Sequence, residues 1–570
     1  MRPGVFWSAF VLTLLFAWPT VPQCRATDQA NADRTASVGE NIYRRGLLGS
    51  GAPLEANRDD GTGTAGAEAA CVNCHRRSGF GSKEGRFAIP PITGRYLFHP
   101  RAATREDLDL PYVAGMRSDR DPYSDATLAR AIRDGVDAQG KPLNYLMPHY
   151  ALSNADMAAL IGYLKDLDQR RPPGVTDTVL HFATIVTPDA DPIKRQGMLA
   201  VLEQYFADKN AVPLGPTPAL RASRKMMFMV NRRWQLHVWE LTGPSDTWEQ
   251  QLRQHLAREP VLAVVSGLGG ATWAPVHAFC EQQRVPCLFP NVEAPPPSAD
   301  RDFYSLYFSR GVLLEAGLIA DRILQPDDGK PTRVVAQVYR AGDSGEAGAK
   351  ALAAALGRYG VTVRSHVLPR GAPGKGAAEV LRTAVGADAL VLWLRPADIA
   401  ALGDPPTAPG AVYMSGLMGG LERAPLPADW RARTHLAYPF DLPEQRRVGV
   451  DFAFGWFTIR HIPVVAEQVQ ADTYLACGLL AEALSHMVDN FVPDYLVERI
   501  EDMLDHRLIT GYYPRLALAT GQRFASKGGY VVHFADTEGT RIVADHEWQV
   551  PDLPSSRVNA AAAGLAAAGK

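Results

Sequence analysis

Residues 69–81 read AACVNCHRRSGFG, and inside them Cys71, Val72, Asn73, Cys74 and His75 form C-x-x-C-H. That spacing is the one used for covalent attachment of a c-type haem. Two thiols add across the vinyl groups of the porphyrin, and the adjacent imidazole is placed to ligate the iron. Val72 and Asn73 supply only the spacing. Two other uses of the same residues fit less well. A zinc site needs two more ligands, and no second cysteine pair lies nearby. A redox dithiol would follow a strand in a βαβ unit, and the flanking sequence has no such texture.

Working outward, GENIYRRGLLGSG (39–51) reads as a helix closed by Gly46 and Gly49. After the haem motif comes a proline-containing segment, Ile89 to Gly94 (IPPITG). Next comes YSDATLARAIRDGVDAQGKPLNYLMPHYALSNADMAALIGYLKDL (123–167). Ser124 or Asp125 can cap a helix ending near Gly135. Ser153 can cap a last helix in which Met157, Leu160, Ile161 and Leu164 recur at helical spacing.

In this order of features, residues 38–168 resemble a class I cytochrome c domain, which is all-α. The resemblance implies one covalently bound haem c, held by Cys71 and Cys74, with His75 as an axial ligand. It implies that a carbonyl of the proline segment orients the His75 ring. It also implies that Met147, in the Met147-Pro148 loop, is the sixth ligand. His149 and Met116 (in VAGMRSD) remain open as alternatives, whereas Met157 reads as core. The interval from His75 to Met147 is long, so Arg95–Tyr123 reads as an insertion. Met/His ligation implies a relatively high potential and a closed, low-spin iron suited to electron transfer. A redox protein partner, a dehydrogenase or another cytochrome, is then expected.

The N-terminus agrees with this chemistry. Arg2, an apolar run from Val5 to Trp18, Pro19 and Pro22, and then Cys24-Arg25-Ala26 follow the three-part plan of a cleaved secretory signal over 1–26. Pro22-Gln23 suits lipid attachment at Cys24 poorly. No later stretch is apolar and long enough to cross a bilayer. The expectation is a periplasmic protein. A net charge of −2 over 570 residues offers no broad basic field for nucleic acid.

DQRRPPGVTD (168–177) reads as a semi-rigid linker, taken as 169–177. Beyond it the texture changes. TVLHFATIV (178–186), RRWQLHVWEL (232–241), PVLAVVSG (260–267) and VPCLFP (285–290) read as strands alternating with helical runs. Among those runs are GMLAVLEQYFADKNA (197–211) and TWAPVHAFCEQQR (272–284). The alternation continues through VLLEAGLIADRIL, TRVVAQVY, AGAKALAAALGRYG and ADALVLWL. Such βαβα order predicts doubly wound parallel sheets, with more strands than one compact sheet holds. The pattern over 178–550 resembles the type I periplasmic binding proteins, above all the branched-chain amino-acid kind. VVSGLGGATWAPVHAFCEQQRVPCLFPNVEAPPP, FYSLYFSRG, RVVAQVYRAGDSGEAGAKALAAALGRYGV and TYLACGLLAEAL carry the resemblance. It implies two Rossmann-like lobes that close on a small ligand. The last stretch, 551–570, is an Ala-rich tail.

In open α/β sheets ligands bind beyond the carboxyl ends of strands. Gly267, Gly269, Gly270 and Ala271 follow such a strand, and free N–H groups there would suit an anion. Asn291 and Glu293 follow the next strand, where Glu293 could hold an amine or stand as a solvated charge. Tyr339, Asp343 and Ser344 follow a strand of the second lobe, where a helix-capping role for Asp343 or Ser344 competes with ligand contact. The ligand so described is amino-acid- or carboxylate-like. Cys280 and Cys287 suit a disulfide in an oxidising compartment, and Cys477 reads as a buried thiol.

No nucleophile elbow, H-E-x-x-H helix or P-loop is present, and the dispersed histidines show no metal-ligand spacing. The only strong chemistry is one-electron transfer, so an enzyme is not the leading reading. Three functions compete: an electron-transfer protein with a binding module, the electron-accepting subunit of a dehydrogenase system, and the solute receptor of an ABC-type transporter.

Overall fold

The computed structural model describes residues 38–551 except 85–86, 99–120, 168–170, 212–231, 297–301, 327–328, 372–373, 375, 385, 406–409, 488–489 and 520. The expected signal segment, Cys24, Met116 and residues 552–570 lie outside the described residues. The chain divides into two compact units, the described residues up to 167 in the first and those from 171 onward in the second.

The first unit is a small helical domain. A helix over 38–45, the helix Asp125–Asp134 and the helix Asn154–Asp166 surround a core of Ile42, Tyr43, Leu97, Leu128, Met157, Leu160 and Leu164. The expected caps form. The Ser124 hydroxyl accepts from the Thr127 N–H in a reciprocal box, the Ser153 hydroxyl accepts from Asp156, and Gly135 ends its helix at φ +67°. Five short strands decorate the loops: β1 (Glu55–Asn57), β2 (Gly63–Ala65), β3 (Ser82–Glu84), β4 (Phe87–Ile89) and β5 (His149–Tyr150). β2-β1-β5 form one small antiparallel sheet and β3-β4 a hairpin. The sequence pattern did not show these strands, because each is too short to carry alternation.

The second unit has two lobes. The first is a five-stranded sheet of β6 (Val179–Val186), β7 (Arg233–Glu240), β8 (Ala263–Val265), β9 (Cys287–Leu288) and β10 (Ser305–Leu306). All neighbours are parallel, in the order β10-β9-β8-β6-β7. The second lobe holds β11 (Val334–Arg340), β12 (Thr362–Leu368), β13 (Ala389–Trp393), β14 (Ala411–Ser415), β15 (Thr434–Tyr438), β16 (Tyr530–Phe534) and β17 (Ile542–Ala544). Their order is β12-β11-β13-β14-β15-β16-β17, parallel up to β15 and antiparallel beyond it. The fully buried strand Ala389–Trp393 explains the unbroken apolar run ALVLW, since helices cover both faces of a parallel sheet.

The chain crosses between the lobes three times. It leaves the first lobe after Phe308 and enters the helix Val312–Leu324 of the second. It returns after β15 into the helices Pro443–Ile459 and Glu467–Met487, and crosses again from Ser526 into β16. The returning helices belong to the first lobe. Trp456 and Tyr474 pack on Tyr205 of the helix Pro192–Ala211, and Arg460 pairs with Asp208 at 2.9 Å. In both lobes the parallel strands run in the order 2-1-3-4-5 by position in their own sheet. The topological crevices therefore lie at the carboxyl ends of β6/β8 and of β11/β13.

Candidate functional site

The haem motif forms the one-turn helix Val72–His75, with Cys71 just before it. Four side chains pin it. Tyr43 donates its hydroxyl to the Arg76 carbonyl at 2.7 Å, and Ser82 donates to the Cys74 carbonyl at 2.8 Å. Asn73 donates its amide to the carbonyls of Ala67 and Glu68 at 2.8 and 3.1 Å. Asn73 is therefore more than a spacer, which corrects the sequence reading. Fourth, the buried His75 ring places Nδ1 3.1 Å from the Pro90 carbonyl. A carbonyl can only accept, so Nδ1 carries the proton and Nε2 keeps its lone pair. Burial pushes His75 down to about 4, which leaves the ring neutral, the form that ligates iron. Gly81 permits the approach of the proline segment. Its φ is +79°, and a Cβ there would stand 2.0 Å from the Ile89 carbonyl oxygen.

Cys71 and Cys74 flank the first turn of the haem-motif helix, the Cys74 N–H donating to the Cys71 carbonyl at 3.3 Å, and burial pushes the Cys71 thiol up to about 12. Tyr150 is buried close enough to both for their charges to act on it. Strand alternation puts His149 on the opposite face of β5. There its ring crowds Gly135 and its Nε2 lies 3.6 Å from Asp59. That arrangement disfavours His149 as an axial ligand. Met147 is partly buried against the domain core, as Cys71 is, and its N–H donates to the Asn144 carbonyl at 2.9 Å. Met157 is fully in the core.

The interlobe crevice is occupied by the protein's own charges. Arg395 follows β13 and grips Glu293 of the first lobe with two hydrogen bonds, at 2.8 and 2.6 Å. The same guanidinium reaches Asp343 at 3.0 and 2.6 Å. Lys194, in the first turn of its helix, meets Glu293 at 2.8 Å, and the Ser344 hydroxyl donates to Glu293 at 2.7 Å. Burial opposes ionisation of Glu293, yet the Lys194 and Arg395 charges outweigh it and hold the carboxyl well below the usual range. Two cations and two carboxylates thus close a neutral knot across the lobes.

Several expected ligand contacts are already satisfied within the protein. The Gly269 N–H donates to the Asn291 carbonyl at 3.2 Å. The Gly270 N–H donates to Thr187 Oγ1 at 2.9 Å, and the Ala271 N–H to Asp189 Oδ2 at 2.8 Å. Asp189 is the anion that the glycine loop was expected to take from outside. Gly267 sits where a Cβ would stand 2.6 Å from the Trp273 ring, so it serves packing. The Asn291 amide donates to Ser266 Oγ at 2.9 Å and lies 3.4 Å from Thr473 Oγ1. Tyr339 packs against the second-lobe core, outside the charged knot. Asp343 both caps its helix, through the Ser344 N–H, and binds Arg395, so the two readings of that residue hold together. Cys280 and Cys287, expected as a disulfide, are two free thiols buried in one apolar cluster and in hydrogen-bond contact.

Lys194 and Arg395 were missed. The available signal was Arg395 itself, a charge directly after the buried strand ALVLW and at a strand's carboxyl end.

Comparison with known proteins bears on both halves. Residues 62–168 match the family model of cytochrome c, and this part of the chain is a cytochrome c domain. The chain joins that domain to a bilobal α/β module with one parallel and one largely parallel sheet and three crossings between its lobes. Similar solved structures include a fatty acid ABC transporter substrate-binding protein from Thermomonospora curvata. It is 14% identical with a TM-score of 0.48, and the match covers 67% of this chain and 95% of that one. A branched-chain amino acid ABC transporter protein from Thermus thermophilus, solved with bound valine, is 12% identical with a TM-score of 0.49, covering 67% and 98%. A leucine binding protein from Thermotoga maritima is 12% identical with a TM-score of 0.45, covering 65% and 99%. No curated protein matches the chain in sequence. Among the described residues no helix is long and apolar enough to cross a membrane.

A cytochrome c domain implies covalently bound haem c, and the residues present fit that group. Two adjacent thiols, a neutral imidazole with Nδ1 tied to a carbonyl, and a fully buried Thr93 hydroxyl without a hydrogen-bond partner among the described residues stand in one small domain.

Proposed function

We propose that the chain is a periplasmic electron-transfer protein whose haem end is joined to a module for a small amino-acid- or carboxylate-like ligand. The observation that carries the reading is the buried His75, its Nδ1 held by Pro90, directly beside the paired Cys71 and Cys74 thiols. Haem c supplies a one-electron centre when bound. Cys71 and Cys74 would tether it, and His75 Nε2 and Met147 would ligate its iron. The Pro90 carbonyl fixes the tautomer and plane of His75. A redox protein partner docks at this end. At the other end a ligand enters only by competing with the knot of Lys194, Glu293, Asp343 and Arg395.

The test is the intact mass of the chain exported with a haem-attachment system. One haem mass is retained after denaturation in the wild type and lost in Cys71→Ala/Cys74→Ala. A chain without covalent haem would refute the reading. Thermal shift and turnover with an artificial acceptor then separate the rivals. Substrate turnover favours the dehydrogenase subunit. Tight binding of a solute that leaves the haem potential unmoved favours a transport receptor.

A further inference from the structure

Far along the sequence from the haem motif, three side chains meet on one face of the second-lobe sheet. His435 lies in β15 and His533 in β16, and the antiparallel register sets them directly opposite each other. Opposed residues share a face, with Cβ atoms about 4.5–5.5 Å apart. Asp545 follows β17, where the register Val532 to Ala544 continues to Val531 and Asp545, and its N–H donates to the Val531 carbonyl at 2.8 Å. Asp545 is therefore two residues diagonal from His533 on that same face. The side chains converge accordingly. His435 Nδ1 lies 2.7 Å from one carboxylate oxygen of Asp545, and His533 Nδ1 lies 2.7 Å from the other. All three ligand atoms fall within 4.8 Å of one another.

We propose that His435, His533 and Asp545 form a binding site for one divalent transition ion of the zinc class. The chemistry of the donors selects that class. Two imidazoles and one carboxylate suit Zn2+ and its neighbours, whereas Ca2+ and Mg2+ ask for all-oxygen shells. The geometry is close to what an ion needs. Ligands about 2.0–2.2 Å from a tetrahedral zinc stand roughly 3.3 Å apart. Each histidine nitrogen now stands 2.7 Å from its own carboxylate oxygen, so a shell of both nitrogens and one of those oxygens opens that one nitrogen–oxygen pair by roughly 0.6 Å, a movement within reach of side-chain rotation alone. The ion takes the place of the two Nδ1 protons that now bridge to the carboxylate, and each proton moves through solvent to Nε2 of its own ring, so that both imidazoles ligate as neutral donors through Nδ1. Asp545 is nearly buried, with its side chain 6% exposed, so it is a fixed anchor. The His533 side chain is 45% exposed, which leaves a water-facing fourth position. The Tyr413 ring, 5.7 Å from the His435 ring on the neighbouring β14, walls the inner side.

The sequence hid this site because the two histidines lie 98 positions apart and share no local motif. Only the β15-β16 pairing brings them together.

The test uses full-length holoprotein, equilibrated with Zn2+ and dialysed, with zinc and iron counted by mass spectrometry. The expected result is one zinc per haem iron beyond the metal-free control. His435→Ala/His533→Ala should lose that zinc, and Asp545→Asn should weaken its binding at least about 100-fold in a chelator competition, beyond the cost of altering an outer partner. Circular dichroism of each variant checks folding. Zinc-edge X-ray absorption on the wild type reads the shell directly and needs no variant: two imidazole nitrogens and one carboxylate oxygen at about 2.0–2.2 Å. A wild type that binds no zinc, zinc retained in the double variant, or a shell without histidine would each overturn the proposal.

Discussion

Replacing Arg395 by methionine removes a cation that touches both Glu293 of the first lobe and Asp343 of the second. Breaking a buried ion pair by deleting one partner costs about 3–5 kcal/mol, because the other charge is left behind. Here Arg395 is 31% exposed, and Glu293 keeps both Lys194 and the Ser344 hydroxyl, so the loss falls at or below the bottom of that range. The expected loss is about 2–3 kcal/mol for the bilobal unit. With an unfolding entropy of about 2.1 cal/mol/K per residue, that lowers Tm by roughly 2–4 °C. The assay is urea unfolding at pH 7 followed by tryptophan fluorescence, with Arg395→Lys as a partial rescue that keeps charge and loses the fork. The pH profile adds a check of sign. Glu293 titrates lower folded than unfolded, so its stabilisation is full above the unfolded value near 4.3 and is lost as pH falls below it. The variant should lack much of that acid-side slope. An unfolding free energy within about 0.5 kcal/mol of the wild type, the scatter of ordinary surface changes, would refute the argument that the knot holds the lobes.

Other predictions follow from single sites. Burial pushes Asp472 up to about 7, only partly offset by Gln468 and the Tyr513 hydroxyl, and its Oδ1 has no hydrogen-bond partner among the described residues. A raised folded value favours the protonated native form, so stability falls as pH climbs from about 4 to 7, and Asp472→Asn should flatten that fall in a pH series of Tm values. A parallel decline in the variant would assign the slope elsewhere. Gly81→Ala should lower stability by about 1–3 kcal/mol, since it places a methyl group on the Ile89 carbonyl at a positive φ, and should shift the haem spectrum by moving the Pro90 anchor. An unchanged spectrum would argue that Pro90 does not orient His75. Cys280, Cys287 and Cys477 are fully buried, so peptide mapping should find them alkylated only after unfolding. Recovery of a Cys280–Cys287 disulfide from native protein would restore the pairing that their spacing suggests.

Much of this architecture was legible in the sequence because it rests on local chemistry. C-x-x-C-H, the caps at Ser124 and Ser153, and the glycine at 135 are decided within a few residues. The run VLLEAGLIADRIL became the helix Val312–Leu324 residue for residue. What failed to show depends on partners far away. The glycine loop after β8 looked like an open anion site, but Thr187 and Asp189 already fill it from about 80 positions upstream. Glu293 looked like a charge in want of an amine, and its amine is Lys194, with the Arg395 guanidinium beside it. Those two cations lie 99 and 102 positions away. The chain order of strands predicted two parallel sheets. The antiparallel closure by β16 and β17, which creates the His435–His533 pair, has no signal in periodicity; only the resemblance implied a closing hairpin-like region, over LITGYYPRLALATGQRFASKGGYVVHF.

The central claim, a closed electron-transferring haem on Cys71, Cys74, His75 and Met147, is tested most directly by potentiometric titration of the holoprotein beside Met147→His. Met/His ligation raises the potential relative to two imidazoles. The account predicts a single one-electron wave in the wild type and a clearly lower midpoint in the variant. A midpoint that Met147→His leaves unmoved would place the sixth ligand elsewhere and contradict the account.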